Sequence, residues 1–241
     1  MRIKVILSTD KPILLSSAYN RAVQGLIYSL LEEDFSNTLH DIGYRIEKRA
    51  FKLFTFSRLF GRFARRGDVI EFDKKVTLFI SSPVEKIIEQ ISKALLKGAV
   101  QLETNKLQVE SIEFVKKPLI SSPMTVRTLS PITVYSTLYS AEGSKKTYYY
   151  SPFEKEFVAI TRSNLMKKAK ILNVNNNGNF ELEPAGRQEE IFLSFKGTLI
   201  RGWIGTFKLT GDQDLISVGY EAGFGNKNSA GFGMIEVLKN A

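Results

Sequence analysis

Segments with strand and helix patterns follow one another as strand, helix, strand, strand, helix, strand across the first half of this 241-residue chain. That order predicts an α+β protein of the split βαβ, or ferredoxin-like, type. The second half reads in the same order, which predicts two such domains in tandem, residues 1–120 and 121–241. The third observation is a glycine-rich loop, Gly219 to Gly233, that leads into a short last strand. No residue-level repeat relates the halves; the duplication is architectural.

Arg2 to Ser8 carries Ile3, Val5, Ile6 and Leu7 and reads as the first strand. From Ser17 to about Glu33, residues Ala22, Val23, Leu26, Ile27, Leu30 and Leu31 recur at helical spacing, with Ser16 or Ser17 available as N-cap. Projected at about 100° per residue, Arg21, Gln24, Tyr28 and Glu32 fall opposite that stripe. A tyrosine there is expected to serve function rather than packing. Ser36 to His40 reads as a short helical turn ended near Gly43, and Ala50 to Ser57 and Val69 to Ser82 read as strands. A second amphipathic helix is expected from Pro83 to about Lys97, through Ile87, Ile88, Ile91 and Leu95. Leu102 to Val115 supplies the closing strand or hairpin, and Pro118 to Pro123 the linker.

In the second half Thr125 to Thr137 reads as a strand despite Pro131, and Tyr148 to Tyr150 as one arm of a hairpin. Pro152 to Leu172 reads as a helix and Asn173 to Asn179 as a polar turn. Glu190 to Lys196 and Ile200 to Leu209 read as strands around Gly197 and Gly202, and Asp212 to Val218 as a short helix before the glycine loop.

The composition, 43% apolar, supports a substantial core. With no cysteine and one histidine, disulfides, thiolate metal sites and His-rich metal sites are excluded, and a cytoplasmic setting is expected. Ile3 to Leu7, the longest early apolar run, is too short for a membrane span, so no membrane partner is expected. A net charge of +9 and a pI near 9.5 point to an anionic partner, with nucleic acid, an acidic membrane and an uninformative solubility charge as the candidates. Arg45, Lys48, Arg49, Lys52, Arg58, Arg62, Arg65 and Arg66 crowd one segment beside Phe51, Phe54, Phe56, Phe60 and Phe63. Arginines for phosphates and rings for bases suit RNA; a solvated loop with strand-core phenylalanines is the plainer alternative.

Gly219, Gly223, Gly225, Gly231 and Gly233, with Lys227 among them, read as a backbone cradle whose amides converge on a phosphate. A glycine-rich turn at a sheet edge stands beside that reading. The loop fits neither a Walker motif, since Asn228 follows Lys227, nor a dinucleotide fingerprint, since a strand follows it.

The run Gly219-Tyr-Glu-Ala-Gly-Phe-Gly-Asn-Lys-Asn-Ser-Ala-Gly-Phe-Gly-Met234 resembles the glycine-rich loop of the CRISPR-associated (Cas) endoribonuclease family six, in the RAMP superfamily. Gln24-Gly-Leu-Ile-Tyr28, Leu39-His40, Lys52-Leu-Phe-Thr-Phe-Ser57, Leu129-Ser-Pro131 and Glu154-Lys-Glu-Phe157 extend the resemblance over nearly the whole chain. It implies tandem ferredoxin-like (RRM-like) domains and cleavage of CRISPR repeat RNA without metal or cofactor, leaving a 2′,3′-cyclic phosphate and a 5′-hydroxyl. It places a catalytic trio on Tyr28, His40 and Lys52. Imidazole alone among these groups ordinarily titrates near neutrality, which suits proton transfer; Lys52 suits charge stabilisation on the phosphate. Whether Tyr28 or His40 is the base stays open, and His40 could instead cap its short helix. Lys48, Arg49, Arg58, Arg62, Arg65, Arg66 and Lys227 are the expected RNA contacts. A CRISPR effector complex and a second copy of the chain are further partners the resemblance leaves open. The competing functions are a non-catalytic RNA-binding scaffold of the same superfamily and a nucleotide-binding metabolic enzyme.

Overall fold

The structure, a computed structural model, describes residues 1–139, 143–175 and 177–238. The N-terminal half begins with β1 (Arg2–Ser8), β2 (Ile13–Ser16), α1 (Asn20–Ser29) and α2 (Glu33–Asp41). The short strands β3 (Tyr44–Ile46) and β4 (Arg49–Phe51) lead to β5 (Thr55–Phe56), β6 (Phe63–Arg66), β7 (Val69–Phe72) and β8 (Lys75–Ser81). This half ends with α3 (Glu85–Leu95), β9 (Ala99–Leu102) and β10 (Asn105–Phe114). Its main sheet runs β5-β8-β1-β10-β9 with antiparallel neighbours. The stripes of α1 (Val23, Leu26, Ile27) and α3 (Ile87, Ile88, Ile91, Leu95) are buried with Ile3, Val5, Leu7, Val76, Leu78 and Ile80 of the sheet in one core. Each such side chain contributes about 1.5–3 kcal/mol by leaving water.

The C-terminal half holds β11 (Met124–Thr128), the hairpin β12 (Tyr135–Tyr139) and β13 (Lys145–Tyr149), α4 (Lys155–Ile171), β14 (Phe180–Phe195), β15 (Thr198–Gly211), α5 (Gln213–Ala222) and β16 (Ile235–Val237). Its antiparallel sheet runs β14-β15-β11-β16, so the strands of the β-α-β-β-α-β unit stand in the order second, third, first, fourth. In the first half β1, β5, β8 and β10 take the same order, and β9 adds an edge. Two tandem ferredoxin-like units thus match the fold class expected from the sequence. They are joined by the buried Arg2, whose guanidinium donates to the carbonyls of Ile235 (2.8 Å) and Tyr220 (2.6 Å).

Several boundaries differ from the sequence reading. The first helix starts at Asn20 because Ile13–Ser16 is a strand paired with Val69–Phe72, and Tyr19 rather than a serine precedes it. The turn at Ser36–His40 is the end of a nine-residue helix, α2, separated from α1 by an extended Glu32. Val69–Ser82 divides into β7 and β8, and Thr125–Thr137 into β11 and part of β12. The strands around Gly197 form a hairpin reaching back to Phe180. Asn176, within the expected asparagine turn, lies outside the described residues.

Candidate active site and the cavity beside it

Tyr28 of α1, His40 of α2 and Lys52, just after β4, meet at one end of the first sheet. Leu39, 2% exposed, anchors α2 in the core, so the next residue, His40, projects outward with most of its ring in solvent. The Tyr28 and His40 rings meet edge to face with centroids 5.2 Å apart. Lys52 Nζ donates to the carbonyl of His40 at 2.5 Å. Gly43, at φ +62°, ends α2 and permits that contact: a Cβ there would lie 2.8 Å from the Phe51 carbonyl and about 3 Å from the Lys52 side chain.

Tyr28 is not on an open face. It is half-buried, with its ring edge-on to Phe54 at 5.6 Å. That burial, with Asp41 nearby, pushes its phenol up to about 12, so at neutral pH it holds its proton. Burial pushes the Lys52 ammonium down, partly opposed by Asp41 and reinforced by Arg45. Asp41, which the sequence reading passed over, lies 2.7 Å from His40 Nδ1 through Oδ1. A carboxylate can only accept, so Nδ1 carries the hydrogen, and in the neutral imidazole the lone pair is then on Nε2. The available signal was its position beside the only histidine.

Much of the glycine loop is turned into the protein rather than laid open as a cradle. The amides of Gly223, Phe224, Asn226, Ala230, Gly231 and Gly233 donate within the protein, to Gly219, Gly233, Thr133, Lys227, Asn228 and Pro131 respectively. Gly219 packs under the Phe224 ring, Gly223 on Asn228, Gly225 on the Thr133 carbonyl, and Gly231 on Phe56 and Asn20. The loop also binds the N-terminal half, through Gln24 Nε2 to the Ser229 carbonyl (2.6 Å), Asn20 Nδ2 to that of Ala230 (2.9 Å) and Thr55 Oγ1 to that of Phe232 (3.0 Å). Its glycines provide close packing, and the loop sits directly beside the trio.

Between the loop, the Arg49–Phe54 segment and α4 lies a cavity of about 320 Å³ that includes Lys52 and Lys227 in its lining. The Lys227 ammonium stands 5.3 Å from the centre of the Tyr135 ring. At the cavity wall Lys168, 1% exposed, donates to the carbonyls of Ala222 (3.3 Å) and Gly223 (2.6 Å) and to Asn228 Oδ1 (2.6 Å). Burial pushes this ammonium down to about 7 from the ordinary 10.5. Between those values the unfolded chain holds more protons at this position, so stability is expected to rise with pH from about 7 to 10. Melting curves should show that rise in the parent and its loss in Lys168→Met, which should also melt lower for want of a donor to three acceptors.

The basic residues do not form one patch. Lys48 and Arg49 are on the β3–β4 hairpin beside the trio, and Arg49 lines the cavity. Arg58 lies in a second cavity, about 410 Å³, with Arg127, Arg187, Glu189 and Glu236. Arg65 and Arg66 are exposed on the β6–β7 ribbon and Arg62 just before it, where Arg62 and Arg66 pair with Asp73 (4.0 Å) and Glu71 (3.3 Å). The ribbon joins β8 at Lys75, whereas Leu53, next to Lys52, bonds Ser82 beyond the other end of that strand. At about 3.3 Å per residue, β8 separates these three arginines from the trio by roughly 20 Å. Among the described residues no group of three or more His, Asp or Glu side chains is placed to hold a metal ion, and no helix is long and apolar enough to cross a membrane.

Two family models cover the chain: "CRISPR-associated protein Cas6, N-terminal" over residues 14–117 and "CRISPR associated protein Cas6, C-terminal" over residues 113–237. The chain belongs to the Cas6 family. It is 32% identical over 246 residues to the CRISPR-associated endoribonuclease Cas6 1 of Methanocaldococcus jannaschii, an alignment covering 98% of this chain and 92% of that one. Among solved structures it superposes on one described as "CRISPR associated protein Cas6" with a TM-score of 0.81 at 31% identity, covering 99% of both chains. A second, described as "An RAMP protein binding different RNA substrates", gives a TM-score of 0.84 at 26% identity, covering 99% of this chain and 100% of that one. This Cas6 chain thus shares both its halves with a family of CRISPR-associated RAMP proteins.

Proposed function

We propose that this protein is an endoribonuclease that matures guide RNAs by cutting CRISPR repeat RNA, using Tyr28, His40 and Lys52 and no metal ion. The observation that carries this reading is the convergence of the three side chains, with the His40 imidazole held through Nδ1 by Asp41. The names of the relatives, CRISPR-associated endoribonucleases, support RNA cleavage; the chemistry follows from the residues. His40 Nε2 takes the proton of a ribose 2′-hydroxyl, and the freed oxygen forms a bond to the adjacent phosphorus. The Lys52 ammonium stabilises charge on the phosphorane oxygens. Tyr28, protonated at neutral pH, gives its proton to the 5′ oxygen as the P–O5′ bond breaks. The products are a 2′,3′-cyclic phosphate and a 5′-hydroxyl, and His40 and Tyr28 recover their protonation states by exchange with water.

Repeat RNA incubated with the protein in excess chelator is expected to give one defined cut at an undiminished rate. A 2′-deoxy nucleotide at the cut should abolish it while binding persists, because the nucleophile is gone. Binding with no cyclic-phosphate product under any condition would instead assign the protein to the RNA-binding scaffolds of the superfamily. Lys48, Arg49 and Lys227 hold the strand near the cut, and Arg58 and Arg187 hold a more distant part of it in the second cavity. Each single-strand phosphate contact contributes about 0.7 to the slope of log affinity against log salt. Arg58→Gln with Arg187→Gln is therefore expected to flatten that slope by about 1.4 in a salt titration of uncleavable RNA. The Arg62, Arg65 and Arg66 ribbon, further away and partly paired with carboxylates, engages RNA outside the immediate site.

A further inference from the structure

We infer that the cavity beside Lys52 is a pocket for one nucleobase, belonging to a nucleotide that flanks the scissile phosphate. This rests on the reading of the trio as the cutting site and deepens it. Phe51, Tyr135, Asn164 and Asn226 line the cavity, with Lys52 and Lys227 supplying charge. Rings that stack a base, amides that bond its edge and cations that meet its phosphate are the chemistry of single-stranded RNA recognition. Its volume, about 320 Å³, is at the small end for organic ligands.

Burial and bracing show that the pocket is built into the fold. Asn164 is 3% exposed and Asn226 8%, yet both border the cavity. Asn164 Nδ2 donates to the Gly225 carbonyl at 3.3 Å, and Asn226 Oδ1 accepts from the Tyr135 amide at 3.4 Å. A carboxamide can make about four hydrogen bonds, so each amide has capacity for a ligand. Lys168 fixes the loop wall through three acceptors. Lys52 connects the pocket to the chemistry, since it lines the cavity and bonds the backbone of His40. A base seated here therefore places its own nucleotide next to the reacting phosphate.

The test uses repeat RNA with a 2′-deoxy nucleotide at the cut, and a series in which each position in turn is abasic. Affinity is measured for the full chain, for Asn226→Ala and for Tyr135→Leu, each checked by melting. Loss of the base at one position within a few nucleotides of the cut is expected to weaken binding by about tenfold in the parent. The same loss should be small in either variant, because the pocket that read the base is already damaged. Equal losses in the parent and both variants at every position would overturn the assignment. Stabilisation by a nucleoside monophosphate alone, without coupling to any RNA position, would also overturn it and make the pocket a free-nucleotide site. Because the readout is binding, it is independent of whether His40 performs catalysis; if the RNA is never cut, the scan runs over the whole repeat and the cutting reading fails separately.

Discussion

Replacing His40 with alanine is expected to slow cleavage of repeat RNA by about 10²–10⁴-fold, the usual contribution of a positioned general base, with RNA affinity nearly unchanged. The separation of rate from affinity follows from placement. The ring projects from the end of α2, mostly in solvent, and Leu39 rather than His40 holds that helix in the core. Its removal leaves the wall of the pocket, the β3–β4 hairpin and the glycine loop in place. Single-turnover rates and binding of the 2′-deoxy RNA measure the two quantities separately. Asp41→Asn should give a smaller loss of rate, because the amide can donate to Nδ1 and favour the tautomer whose Nε2 already carries hydrogen. Tyr28→Phe keeps the packing on Phe54 and removes only the hydroxyl, so it should slow cleavage without a comparable fall in melting temperature.

Gly233→Ala is expected to be the most damaging single methyl for folding, at more than about 4 kcal/mol. The residue sits at φ +81°, where an L side chain is strained, and a Cβ would lie 2.0 Å from the Phe224 carbonyl oxygen and 2.7 Å from Asn228 Nδ2. Both neighbours are fixed. The Phe224 amide bonds the Gly233 carbonyl at 2.9 Å, and Asn228 Nδ2 bonds the Phe224 and Phe232 carbonyls at 2.9 and 3.0 Å while its Oδ1 holds Lys168. The methyl therefore has to displace backbone, and with it the wall of the pocket. Gly67→Ala is the matched control: φ is +61° but nothing lies within 4 Å of its added Cβ. That substitution should cost about 1 kcal/mol. At roughly 2–4 °C per kcal/mol for a chain of this size, the two melting curves should separate clearly.

The parts of the fold that periodicity controls were legible in the sequence. The Val23–Leu26–Ile27 and Ile87–Ile88–Ile91 stripes each fix one helix on one face of a sheet, and the order of elements then leaves little choice of topology. What escaped was set by partners distant in sequence. Phe180–Glu189 carries Glu181, Glu183, Pro184 and Gly186, a poor strand by composition, and becomes one through pairing with the second half of β15. At the site the family motifs nominated Tyr28, His40 and Lys52, which the structure brings together, but their geometry was not legible. The helical projection placed Tyr28 opposite the apolar stripe of its own helix; Phe54, 26 residues later, covers that face and raises the phenol. The same limit applies to the basic segment, which reads as one patch along the chain until β8 separates its two ends in space. The glycines of the loop signalled close approach correctly, and at Gly219, Gly223, Gly225, Gly231 and Gly233 what approaches is protein. Asp41 and Lys168 had no motif to announce them, since a carboxylate beside a histidine and a lysine inside a helix are ordinary until contacts and burial are known.

The most direct measurement is the chemistry of the ends. Repeat RNA cut in the presence of excess chelator should leave a 2′,3′-cyclic phosphate on the upstream fragment and a 5′-hydroxyl on the downstream one, since the ribose oxygen itself displaces the leaving group. A 3′-hydroxyl paired with a 5′-phosphate would mean that water attacks the phosphorus, and Tyr28, His40 and Lys52 could not then have the roles given to them.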